Sequence, residues 1–265
     1  MLKSFFIVSS FLITATSHCQ DYKVAYRLSY PETSEVNKQE DFYLYSTPEQ
    51  STFISNFKVR KDSVMKYNKS DIGSKMAAYK AIPKTKFDFF VLKKYKTSTV
   101  LFAQKVGMYI AYQQIAPTYD WKIVDSTKEI QGFSCRKAIL SLYGNTYNVW
   151  FTDEIPVFDG PYFFQGLPGL ILEVSCVEQN YQFTLVGIEK GVSPVDYPDK
   201  SFKELTNDRE KFIRLADDWE KNTMSNLFKT GDISMGSSGS SSEEIMKQFQ
   251  TEIDEKRPKF KLEIF

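Results

Sequence analysis

The clearest signal in the chain is alternation. Tyr181, Phe183 and Leu185 are separated by Gln182 and Thr184, the two-residue period of a strand with one buried face. Residues 22–30 and 40–46, rich in Tyr, Val, Leu and Phe, also read as strands; Ser51–Phe57 is strand-like and Asp62–Tyr67 is undecided. From Phe87 the pattern predicts strands near 87–95, 98–105, 108–114, 120–125, 133–143, 146–153, 170–177 and 181–189. Residues 68–84 are polar, contain Gly73 and Pro83, and read as a loop with one short helix. Gly144-Asn145 lies between two β-rich runs, with glycine first as a type II′ turn prefers. Pairing across it puts Tyr143 opposite Thr146 and Ile139 opposite Trp150. Glu178–Asn180 predicts a second hairpin tip. Connections this short imply a largely antiparallel sheet.

The period changes towards the C-terminus. Phe212, Leu215, Ala216 and Trp219 recur at helical spacing, with Asn207 and Glu210 placed as a capping box. A second helix is predicted from Ser241 or Ser242, with Ile245, Met246, Phe249 and Ile253 as its apolar stripe and Pro258 as its stop. Residues 231–242 hold three glycines and six serines. They read as a flexible loop inside one domain, because too few residues follow to build a second core. Residues 258–265 alternate weakly and suggest a terminal strand. The expected fold is mainly β (β-rich α+β). It is a single curved antiparallel sheet or partly open barrel over 20–265, with C-terminal helices packed against it.

The first residues read as an address. Lys3 precedes an apolar run, Phe5–Ile13, broken only by Ser9 and Ser10, and small or polar residues follow to Ser17. That is the layout of a secretory signal peptide over residues 1–19, too short to span a bilayer as a lasting helix. Cleavage after Ser17 and after Cys19 compete, and Cys19 also admits a lipid anchor, although His18 stands where a small residue is usual. No other stretch approaches a transmembrane segment, so the expected location is the periplasm or the outer membrane, the latter by peripheral association.

Composition narrows the chemistry. With 42% hydrophobic and 15% aromatic residues, the chain has too much apolar content for disorder. Its 34 basic and 33 acidic side chains leave no positive excess to grip nucleic acid through phosphates. The one histidine is His18, so a processed chain has none. That removes a Ser-His-Asp triad, a Cys-His dyad and an HExxH zinc site, and no metal or cofactor is expected. Cys135 and Cys176 stay open as a disulfide, a thiol pair or one nucleophile. Lys93, Lys94 and Lys96 read as a solvated edge. Tyr109, Tyr112, Tyr119 and Trp121 are candidates for a pocket wall or for ordinary β core.

The most distinctive segment is Ile155–Ile171, IPVFDGPYFFQGLPGLI. Its prolines fix φ and remove backbone donors, which forbids a regular central strand. Pro168-Gly169 is a turn signal. A loop this apolar is not left in water; it either plugs the underside of the sheet or lines a binding site, and the physics favours the plug. Asp153, Glu154, Asp159 and Glu173 crowd around it. Acid–base hydrolysis needs two of them to converge at about 5–9.5 Å, but neighbouring strand positions such as Asp153 and Glu154 point to opposite faces, which favours turn capping and solvation.

Gly166-Leu167-Pro168-Gly169-Leu170-Ile171 resembles the hexapeptide that names the GLPGLI family of secreted Gram-negative proteins. Cys135-Arg136-Lys137-Ala138 resembles its Cys-Lys-Lys-Ala stretch, and Trp150-Phe151-Thr152-Asp153-Glu154-Ile155-Pro156 its Trp-Tyr-Thr-x-Glu-Ile-Pro stretch. Gly160-Pro161-Tyr162 and Phe164 lead into the hexapeptide as in the family pattern. The resemblance implies secretion and supplies no catalytic residues. The function expected is non-enzymatic binding of an apolar ligand or an envelope protein partner through the 160–172 region. Trp150, Pro161, Tyr162, Phe164, Gly166, Leu167, Pro168, Gly169 and Leu170 would form the site. The alternatives are an envelope assembly factor with the loop as core plug, and a carboxylate-dependent hydrolase.

Overall fold

The computed structural model describes residues 21–32, 36–67, 69–106, 108–192, 204–223, 225–226 and 247–251. The expected signal peptide at 1–19, the Gly/Ser segment at 231–242 and the terminal strand at 258–265 lie outside them. So does most of the second C-terminal helix, of which 247–251 is described and helical. The chain runs β1 (Tyr22–Pro31), β2 (Asn37–Ser46), β3 (Gln50–Ser55), α1 (Asn56–Tyr67), α2 (Ile72–Ala81), β4 (Phe89–Lys94), β5 (Thr99–Val106) and β6 (Met108–Ile115). It continues with β7 (Lys122–Ile130), β8 (Phe133–Leu142), β9 (Asn145–Thr152), β10 (Leu170–Cys176), β11 (Tyr181–Lys190), β12 (Glu204–Thr206) and α3 (Arg209–Lys221).

All twelve strands form one open sheet in the order β12-β6-β5-β4-β3-β2-β1-β11-β10-β9-β8-β7. Every pairing is antiparallel except β12 with β6, which is parallel. Chain connectivity dictates strong curvature. β6 and β7 are ten strand steps apart, which on a flat sheet is about 48 Å. Yet only residues 116–121 join them, and even fully extended they bridge no more than about 25 Å. The sheet has to curl until its two margins approach.

The inner face carries the main core. Alternate residues of each strand meet there: Tyr26 and Leu28, Phe42 and Leu44, Phe89 and Val91, Tyr147 and Val149, Phe183 and Leu185, all buried. Phe53 stacks on Phe42 with ring centroids 5.0 Å apart and meets Phe183 edge-on at 5.6 Å. α3 closes one end through Phe212, which is fully buried against Phe102 and Tyr112. Its N-cap is Asp208, accepting from Lys211 N at 3.0 Å, one residue beyond the predicted Asn207. The outer face carries a smaller cluster, Tyr45, Ile54, Phe90, Ala103 and Ala111, partly covered by Val59 of α1.

Two expectations need correction. Residues 56–67 form α1 where a strand end at Phe57 was predicted and Asp62–Tyr67 was undecided, while α2 is the one short helix expected within 68–84; alternation in α1 is weak and its charges are spread around the helix, so no period stands out. The β8–β9 turn is centred on Tyr143-Gly144, with φ of 50° and 82°, which is the type I′ signature of two positive values. Leu142 therefore pairs with Asn145, and Ile139 with Asn148 in place of Trp150.

Cys135 and Cys176 are buried and are not bonded to each other. The register explains it: Cys176 aligns with Tyr147 and Tyr147 with Leu140. Leu140 is five residues from Cys135 along β8, about 17 Å, far beyond the ~7 Å that a disulfide tolerates. Burial pushes the Cys135 thiol up to about 11. Ellman titration of the folded protein is expected to find neither Cys135 nor Cys176 reactive at pH 8, and both reactive in denaturant without reductant. If denaturant alone exposes neither, they are bonded.

Candidate functional site

The loop between β9 and β10 turns inward and fills the concave face. It keeps a strand-like alternation at its start, with Ile155, Val157 and Asp159 buried and Pro156 and Phe158 exposed. Tyr162, Phe163, Phe164 and Leu167 are then all at most 1% exposed. The Tyr162 ring lies 5.4 Å from Phe89, 6.1 Å from Phe102 and 6.4 Å from Phe53, so one loop residue touches strands β3, β4 and β5. Tyr162 holds φ at 54°, a left-handed backbone that costs a bulky residue about 1 kcal/mol or more and that this packing maintains. Gly169 is required for another reason. Its φ is +142°, and a Cβ there would sit 1.9 Å from the Thr152 carbonyl oxygen.

A buried loop brings buried peptide groups, and each needs a partner. Some are met within the loop: Gly166 N donates to Phe158 O at 3.1 Å and Ile171 N to Asp159 O at 2.9 Å. Others are met by the wall. Tyr26 Oη donates to Ile171 O at 2.6 Å, Tyr119 Oη to Phe163 O at 2.7 Å and Trp121 Nε1 to Gln165 O at 3.0 Å. Residues 116–121, which bridge the sheet margins, thus also clamp the loop.

At the centre lies Lys93 of β4, fully buried and ion-paired with the buried Asp159. Lys93 Nζ also donates to Gly160 O at 2.9 Å and to Phe164 O at 3.4 Å. The Asp159 carboxylate accepts from Tyr95 Oη at 2.6 Å and from Gly160 N at 2.7 Å. Burial lowers the Lys93 pKa and the Asp159 charge opposes that shift. Burial, reinforced by the Asp159 charge, raises Tyr26, Tyr95 and Tyr119, so all three remain neutral donors. β4 is an interior strand, so the solvated-edge reading of Lys93 is corrected. The signal was present in the alternation: Lys93 and Tyr95 share the parity of the buried Phe89 and Val91.

Each of the four carboxylates is engaged separately. Asp159 is held by Lys93, Glu173 accepts from Lys128 at 2.7 Å, Asp153 pairs with Arg136 at 3.4 Å and Glu154 accepts from Ser134 N at 2.7 Å. Each charge has its own neutralising or donating partner, and none of these hydrogen bonds joins two carboxylates. Among the described residues no group of three His, Cys, Asp or Glu is placed to hold a metal. The expected site residues divide between two environments. Pro161, Tyr162, Phe164, Leu167, Gly169 and Leu170 are buried, Gly166 and Pro168 are exposed, and Trp150 lies half-buried on the outer face under Lys128 Nζ, 4.5 Å from its ring centroid. Tyr112 faces α3, and the side chain of Tyr109 lies outside the described set.

Residues 24–210 match the family model described as "N-glycanase peptide, N-terminal domain". No curated protein matches by sequence. Among solved structures, PNGF-II in its C2 crystal form superposes with a TM-score of 0.53 at 15% identity, covering 76% of this chain and 33% of that one. Its P21 form gives a TM-score of 0.53 at 16% identity, with 76% and 34% covered. The chain therefore spans about a third of the length of PNGF-II, and at this identity the likeness concerns the fold alone.

Two expectations follow from the loop. Gly169→Ala should lose about 3 kcal/mol or more in urea unfolding, while Gly166→Ala, with nothing nearer than 3.9 Å to its new Cβ, should lose only about 1–2 kcal/mol of backbone strain; equal losses would contradict the close approach. Lys93→Met and Asp159→Leu should each cost about 3–5 kcal/mol by stranding the opposite charge, and the double variant should cost less than their sum. Strict additivity would mean the two charges are not coupled.

Proposed function

Since the chain belongs to the N-glycanase peptide N-terminal-domain family, we propose that it is a non-catalytic, secreted module that engages a protein partner of the cell envelope through the outer rim of the 156–169 loop. The observation that carries this reading is the loop's two-sidedness. Its inner rings already occupy the concavity where an apolar small molecule would sit, which favours a plug over a ligand gate. Its outer side offers Phe158, 64% exposed, beside the exposed Gly166 and Pro168 and the half-buried Trp121. An exposed aromatic on a rigid, internally bonded loop suits protein recognition, because little side-chain or backbone freedom is lost on contact.

The absence of histidine after residue 18 and the separate engagement of each carboxylate support a role without bond-breaking chemistry. The apolar run Phe5–Ile13 and the resemblance to GLPGLI proteins support export. No helix among the described residues is long and apolar enough to cross a membrane.

The exported protein is expected to take up no fluorescent fatty acid, because the plug already fills the concavity. A photo-crosslinking residue in place of Phe158 is expected to give one discrete protein adduct in intact cells. Stoichiometric uptake of the fatty acid, or no adduct at that position, would overturn the proposal.

A further inference from the structure

Residues 56–86 carry nine lysines and arginines against two acids, Asp62 and Asp71. That is a sequence excess of seven positive charges in a chain whose net charge is +1, reduced to five where Asp88 and Glu32 ion-pair with Lys58 and Lys86. The segment folds as α1, which packs on the outer side of β2 and β3, and α2, which packs against α1. Its two acids are already engaged: Asp62 pairs with Lys58 at 3.5 Å, and the Asp71 carboxylate caps α2 by accepting from Ser74 N at 3.1 Å. Arg60, Lys69, Lys80 and Lys84 are exposed and Lys75 is partly so.

The same hairpin exposes apolar side chains. Ile72 is 70% exposed and Met76, one turn on along the same face, 38%; Met65 near the end of α1 is 45% exposed. α2 has ten residues and buries none of them. It is tied to the body through the buried Ile82 that follows it and through Lys61 Nζ, 5.1 Å above the Tyr79 ring of α2. A helix this short is marginal in water without a packed face. Among the described residues, α2 is therefore a folded helix that carries Lys75 and Lys80 beside an exposed apolar pair with nothing covering it.

We propose that the α1–α2 hairpin is a docking surface for an anionic phospholipid bilayer. Charge complementarity argues for an anionic surface, and the exposed Ile72, Met76 and Met65 select among anionic surfaces. A bilayer interface accepts apolar side chains between its headgroups while its phosphates meet the surrounding cations; a nucleic-acid backbone or an acidic peptide offers the charge without the apolar layer. The hairpin would lie flat on the bilayer and insert no spanning segment. This surface is distinct from the rim at Phe158 and does not depend on it.

Co-sedimentation of the full chain with phosphatidylglycerol–phosphatidylcholine vesicles, against phosphatidylcholine alone, tests it. Binding is expected only to the anionic vesicles and should weaken as salt rises. The triple variant Lys69→Gln/Lys80→Gln/Lys84→Gln should lose roughly 100-fold in partitioning, and Ile72→Ser/Met76→Ser roughly tenfold. All five positions are exposed, so thermal midpoints should not move, which separates lost docking from lost folding. Equal binding to neutral vesicles, parental binding by the triple variant, or binding of polyglutamate in place of anionic vesicles would overturn the proposal.

Discussion

An ammonium group inside an apolar interior requires an opposite charge and enough acceptors to replace water. Lys93 meets that requirement with Asp159 and two carbonyls of the loop, and much of the molecule's shape follows. Lys93 is on β4, whereas the loop leaves β9 and returns as β10, five strand steps from β4. On a flat sheet that separation is about 24 Å, so an ion pair between them demands a curled sheet. The six residues that join β6 to β7 impose the same curl independently. They also donate the Tyr119 and Trp121 hydrogen bonds that hold the loop, so the margin bridge and the ion pair grip one plug from two sides. The plug in turn supplies rings that the concave faces of β3, β4 and β5 would otherwise expose.

The fold was legible wherever one rule dominated. Half-buried strands announce themselves by alternation, and β8 through β11 fall close to the predicted ranges because their inward residues are large and apolar while their outward ones are mostly polar; β7, which buries only Ile130, runs five residues past its predicted end. Lys93 escaped for the opposite reason. Its neighbours Lys94 and Lys96 gave it the look of a solvated run, and residue type outweighed parity. The rule that buries Phe89 and Val91 applies to position 93 whatever its charge, and a lysine there implies a buried acid from elsewhere in the chain. Asp159 was visible as a carboxylate in an apolar loop; the 66-residue separation hid the match. α2 was legible only as a short helix somewhere within 68–84, because it buries nothing and no apolar stripe marks it; α1 escaped because its start, Asn56-Phe57, continues the apolar run of β3.

The glycines and prolines of the hexapeptide were legible as punctuation, although punctuation alone does not say which glycine is indispensable. Gly166 has a positive φ and open space around it; Gly169 has a positive φ and the Thr152 carbonyl where a side chain would be. Only the second is sterically fixed, and it stands where the loop re-enters the sheet at β10. A displacement there would shift Leu170, which pairs with Thr152, and would disturb the register that carries Ile171 to its hydrogen bonds with Asp159 and Tyr26. The hexapeptide therefore works as a seam between plug and sheet, which accounts for its dense local constraints better than direct contact with a ligand does.

A plug fixed this firmly has consequences for its other side. Phe158 lies next to Asp159 in the chain, and its carbonyl accepts from Gly166 N. The residue that presents the exposed ring is thus backed directly by the residue that holds the buried ion pair. An exposed aromatic on a mobile loop would lose conformational freedom on contact, whereas one braced against a buried lysine has little left to lose. The buried charge cluster and the exposed rim are accordingly two faces of one construction. Weakening Lys93–Asp159 should loosen Phe158 as well as destabilise the core, while changing Phe158 should leave the core unaltered. That asymmetry distinguishes a rim whose rigidity derives from the plug from one that is merely next to it.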